Sequence, residues 1–245
     1  MQTLTLVGIA ALAWAGVIAY ARHMGNGVGT MGLGLGEFVA MWALMMTAMM
    51  LPAVAPVATL YSATVTDHRA RRLTLFVGGY LLVWAAVGIP AYLLLRLVDD
   101  HTTQGDATIR TIAVVVLAAA GIYQLTPMKR VCLRHCRSPL AQLLHYGNTK
   151  GPLRDLKVAV HHAGFCLGCC WALMVLFVAF GVMNVWFMFA LAALVVLEKV
   201  WRHGEQLGRA AGVAFLVLAL SIAVSATVAD GVLPTSPDTT MSGGM

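Results

Sequence analysis

Glu37–Ser62, EFVAMWALMMTAMMLPAVAPVATLYS, carries no charge after its first residue, and the next charge in the chain is Asp67. At a helical rise of about 1.5 Å per residue, such a run crosses the roughly 30 Å hydrocarbon core of a bilayer. Pro52 and Pro56 predict a kink within it. Six further apolar runs lie at 3–20, 73–96, 110–126, 164–182, 184–199 and 208–228. They account for a chain that is 60% hydrophobic and only 11% charged. Runs this long and uniformly apolar exclude the alternating strands of a barrel, and only helices otherwise satisfy their own backbone in lipid. The expectation is therefore an all-α, polytopic transmembrane helical bundle of about seven spans, or six if 164–199 is a single re-entrant element around its GVMN turn.

The 245 residues leave no room for a soluble domain beside these spans. A single transmembrane domain over 1–229 is expected, followed by a disordered tail at 230–245 rich in Pro, Ser, Thr and Gly. The first run lacks the basic start and cleavage site of a signal peptide, so it reads as a span. The segment 127–163 is the one sizeable loop, strongly basic and suited to lie partly as an interfacial helix on an anionic leaflet.

Charge gives the orientation. Of the 16 Lys and Arg, all but Arg22, Arg96 and Arg110 fall in or beside the loops after the second, fourth and sixth runs. The positive-inside rule then makes those loops cytoplasmic, with the N-terminus inside and the C-terminus outside a bacterial inner membrane. The net charge of +6 follows from this topology, and no nucleic-acid surface is implied.

At 100° per residue, Met41, Trp42, Met45, Met46, Met49 and Met50 share one half of the second helix. Ala43, Leu44, Thr47, Ala48 and Leu51 take the other half. Met41, Met45 and Met49 form one i, i+4, i+8 row, with Met46 and Met50 beside it. Thioethers so spaced suit a soft ion, Cu(I) above all. Methionine is also an adaptable packing residue and Trp42 a ready sulfur–aromatic partner, so packing stands beside ligation as a reading.

All five cysteines fall in two short clusters, Cys132 and Cys136 in VCLRHCR, and Cys166, Cys169 and Cys170 in FCLGCCW. Their spacings are i, i+4 and i, i+3, i+4, each one face of a helix. Placement at the cytoplasmic ends of spans four and five argues against disulfides. His161 and His162 stand close by as borderline ligands, and Met174 follows one turn after Cys170. The spacing is not that of a zinc ribbon, and cysteines also pack helices or accept lipids. The topology sets the methionines in the outer half and the thiols on the inner side. Glu198 and Lys199 read as an interfacial pair. No nucleotide-binding loop or hydrolytic triad is visible, which excludes hydrolase and NTPase readings, and a thiol or haem-linked oxidoreductase ranks behind a non-enzymatic role.

The motifs MWALMMTAMMLP at Met41–Pro52, YQLTPMKRVCLRHCRSPL at Tyr123–Leu140, CLGCCWALM at Cys166–Met174, and GVMN through LVVLEK to Lys199 occur in one order. In them the chain resembles a bacterial family of predicted metal-binding integral membrane proteins. The resemblance implies a polytopic membrane protein with a metal site and supplies no catalytic residue. The candidate ligands are thus Met41, Met45, Met46, Met49, Met50, Cys132, Cys136, His161, His162, Cys166, Cys169, Cys170 and Met174. Copper is the expected metal, ahead of zinc or iron, for transport or for delivery to a metallochaperone or membrane-complex partner. The competing expectation is an accessory or assembly subunit whose Met/Trp face packs on partner helices.

Overall fold

A computed structural model describes residues 2–23, 30, 32–64, 68–102, 106–138, 153–181 and 184–225. The expected tail at 230–245 and part of the basic loop, 139–152, lie outside the described residues. Among those described there are eight helices and no strand: α1 (Gln2–His23), α2 (Leu35–Thr64), α3 (Arg69–Thr102), α4 (Asp106–Leu125), α5 (Pro127–Arg137), α6 (Arg154–Phe180), α7 (Val185–Val200) and α8 (Gly204–Val224). Six of them, all but α5 and α7, are long and apolar enough to cross a membrane.

The packing explains which helices are apolar all round. α2 lies at the centre against α1, α3 and α7. Its side chains from Phe38 to Tyr61 supply much of the core. α1 and α8 lie outside and leave Leu4, Leu12, Leu220 and Val224 about two-thirds to four-fifths exposed. A helix that shows bare leucine and valine on its outer face suits lipid rather than water.

Side-chain contacts fix the directions. Thr3 on α1 meets Thr59 on α2, so these two helices are antiparallel. Tyr61 near the end of α2 donates to Asp155 at the start of α6, where Arg72 of α3 also binds the carboxylate at 2.9 Å. At the opposite end Arg110 of α4 donates to the carbonyls of Ile222 and Ala223 on α8. α7 starts beside Trp14 and Arg22 of α1 and ends against α5 and α6. It therefore runs through the bundle in the same sense as α2 and α4. Its 16 residues make about 24 Å, so it is a short helix among long ones.

Two expectations change. α6 begins at Arg154, ten residues before the expected 164, and α5 already fills 127–137, so 127–163 is not one loop. The early start is possible because Asp155 is paired with Arg72 and accepts from Tyr61, while Val158, Ala159, His162 and Ala163 bury the next turns. α6 and α7 are also two separate helices, not one re-entrant element. α6 ends at Gly181, whose φ of +82° suits glycine, and α7 opens with the Asn184 side chain accepting from the Phe187 amide.

Candidate metal centre

One turn and a residue of α6 places three thiols together. The sulfurs of Cys166, Cys169 and Cys170 all lie within 4.8 Å of one another, and each residue is at most 1% exposed. Cys169 Sγ stands 3.2 Å from Cys170 Sγ. α5 adds a fourth thiol, since Cys136 Sγ lies 3.9 Å from Cys169 Sγ. All five cysteines are free. α5 can come this close because Gly168 has no side chain: a Cβ there would stand 2.8 Å from Cys132 Sγ. The Tyr123 hydroxyl donates to the Gly168 carbonyl and fixes the same contact from α4. Burial pushes the Cys132 thiol above its ordinary value, so it stays protonated until a cation replaces the proton.

Charged and polar groups reach this cluster from two other helices and from α6 itself. Lys199 of α7 donates to Cys166 Sγ at 2.9 Å, and the Tyr80 hydroxyl of α3 lies 2.9 Å from the same sulfur. His162, one turn before Cys166, is 2% exposed and sits between the rings of Phe76 and Tyr80. Its Nδ1 has no hydrogen-bond partner among the described residues. His161 does not join the thiols. It is exposed and meets the rings of His135 and Phe165 on the α5 side, because one residue along a helix turns the side chain by 100°.

Glu198 and Lys199 are not an interfacial pair, as the sequence suggested. Successive residues again point apart: Lys199 takes the thiol, while Glu198 turns to Lys129 of α5, both carboxylate oxygens lying 2.8 Å from its ammonium. Gln124 of α4 donates to the same carboxylate at 3.2 Å. Lys129 and Glu198 are 2% and 1% exposed. This buried pair locks α4, α5 and α7 beneath the thiols. Tyr80 and Lys129 escaped the sequence reading, and Glu198 and Lys199 were paired with each other, because the true partners are 33 to 86 residues away.

The methionine face of α2 points inward, with Met41, Met45, Met46, Met49 and Met50 between 0 and 7% exposed. Trp42 donates from Nε1 to the Trp84 carbonyl at 3.0 Å. α2 and α6 run antiparallel, tied at one end by Tyr61 and Asp155, and Trp42 of α2 and Met174 of α6 line one groove. The methionine face and the thiols belong to one buried core.

A buried cluster of free thiols, with buried thioethers in the same core and a lysine at one sulfur, defines an all-helical protein with a soft-donor interior able to hold a metal ion. Residues 39–222 match the family model PpoB2, described as copper chaperone, and the chain belongs to that family. No curated protein and no solved structure matches it. The family agrees with the metal-binding character that the sequence motifs implied.

Proposed function

We propose that this protein is a bacterial inner-membrane chaperone that holds Cu(I) on Cys136, Cys166, Cys169 and Cys170 and passes it to a metallochaperone or membrane-complex partner. The observation that carries this reading is the packing of those four unpaired thiols into a buried cluster. Charge favours copper over zinc or iron. A divalent ion held by four thiolates would bring two net negative charges into an apolar interior against the single ammonium of Lys199. Cu(I) between two thiolates brings one, which that lysine balances. Met46, Met49 and Met50, with Met45, Met41 and Met174 beyond them, supply neutral donors along which a monovalent soft ion can move without further charge. His162 is a further donor at the inner wall.

The basic residues of α5 and the α7–α8 corner support an orientation with that end in the cytoplasm, the N-terminus inside and the C-terminus outside. The alternative, an assembly subunit using the Met/Trp face on partner helices, is disfavoured because that face is already covered within the chain.

Metal analysis of protein purified without oxygen tests the reading. Wild type is expected to carry copper, and a Cys166→Ser, Cys169→Ser, Cys170→Ser triple variant to lose it while keeping its helical spectrum. Wild type with no copper above background after Cu(I) loading would sink the proposal.

A further inference from the structure

The buried thiols need a way in, and α5 carries one that the candidate ligands above do not complete. Met128, Cys132 and Cys136 stand at i, i+4 and i+8 on this helix. Their exposure falls steadily along it: Met128 is 64% exposed, Cys132 is half-buried and Cys136 is 6% exposed. Cys136 Sγ then lies 3.9 Å from Cys169 Sγ inside the cluster. Cys132 sits against Gly168, the residue just before Cys169. Met128 lines an open groove of about 510 Å³ between α2, α3, α4, α5 and α6, whose wall includes Gly168, Trp42 and Met174. A sulfur donor therefore occurs every turn from the surface to the cluster, about 5–6 Å apart at Cβ.

Resting on the copper reading above, we propose that Met128, Cys132 and Cys136 are the route by which Cu(I) reaches and leaves the buried thiols, with Met128 as its port. The steps are ligand exchanges with no change of oxidation state. The Met128 thioether bonds the ion as the carrier's bond breaks. Cys132, which is half-buried, then takes it, releasing its thiol proton to water. Transfer to Cys136 moves that residue's proton back to the Cys132 thiolate, so one proton has left when the ion reaches Cys136, and a second leaves when another thiol of the cluster joins it as the second thiolate. A neutral thioether suits the exposed step because it captures a soft monovalent ion without holding it tightly.

The test follows the rate at which the full-length protein, without oxygen, takes Cu(I) from its bicinchoninate complex. Met128→Leu keeps the shape and removes the donor, and is expected to slow loading about tenfold with unchanged final copper content. Met128→Cys, which restores a sulfur, should recover the rate. Val131→Leu, at a 63% exposed position off the row, should load as wild type does. Wild-type rates in both Met128→Leu and Cys132→Ala would overturn the route, as would a slow Met128→Leu that Met128→Cys does not repair. Those outcomes are distinct from a wild type that binds no copper, which is the failure of the chaperone reading itself.

Discussion

At the scale of single residues, the most consequential contact is the one between Lys199 and Cys166. An ammonium 2.9 Å from a buried sulfur supplies positive charge where water cannot. A dithiolate Cu(I) centre is anionic, so this charge should count towards affinity. Lys199→Met is expected to weaken Cu(I) binding about tenfold or more at fixed pH, since a charge contact in a poorly solvated site exceeds 1.4 kcal/mol. Lys199→Arg should keep most of the affinity. Competition against a chromophoric chelator measures both, and equal affinities for wild type and Lys199→Met would remove the lysine from the site. Met50 offers a second residue-scale check. If buried thioethers of the same core share the ion, X-ray absorption of the copper-loaded protein should show one fewer sulfur neighbour in Met50→Leu, whereas a packing role leaves the spectrum unchanged.

At the scale of elements, glycine sets how closely helices approach. Gly121 of α4 meets Gly212 of α8 so tightly that a Cβ at Gly121 would stand 2.8 Å from the Gly212 carbonyl oxygen. Gly204 and Gly208, earlier on α8, are buried too, but against the Glu198 backbone of α7 and the Glu198 carboxylate. Small residues at such spacing let backbones touch, which is how helices associate where lipid removes the hydrophobic drive. Gly212→Val is thus expected to lower the unfolding temperature in detergent by several degrees, while Gly36→Ala, with open space around it, should not. The Lys129–Glu198 pair gives a second element-scale prediction. Lys129→Met strands a buried carboxylate and should cost about 3–5 kcal/mol, read as a lower midpoint of thermal unfolding. Adding Glu198→Met should recover much of that loss, because no buried charge then remains unpaired.

These elements also show what was legible beforehand. Apolar runs gave the identity of seven helices, since length and hydropathy are local properties, and the i, i+4 spacing marked the inward Met face of α2. The reach of α6 back to Arg154 was hidden, because a charged first turn looks like a loop until Arg72 is seen to pair with Asp155 and Tyr61 to donate to it. The lysine at Cys166 depends on how α6 and α7 pack, which no local pattern records. His161 and His162 looked equivalent in sequence, and only the helix phase separates the buried ring from the exposed one.

At the scale of the whole molecule, the direction of α7 decides the topology. Were α7 re-entrant, both its ends would lie at one face and the two termini would share a side. Its start beside Trp14 and Arg22 and its end beside α5 instead set it alongside α2 and α4 from one end of the bundle to the other, the arrangement that the proposed topology of seven traverses requires. A helix of about 24 Å is short for the roughly 30 Å hydrocarbon, and the bilayer or neighbouring side chains must adjust around it. The basic α5 and α7–α8 corner, with Arg134, Arg137, Arg202 and Arg209 around one concavity, should stay on the cytoplasmic side. Single-cysteine labelling checks this in a background with all five native cysteines replaced. A thiol placed at Glu205 should resist a membrane-impermeant maleimide in intact spheroplasts and react after lysis, whereas one placed at Gly36 should react in intact spheroplasts. Labelling of both from the same side would overturn the seven-traverse topology, and with it the cytoplasmic position assigned to Met128.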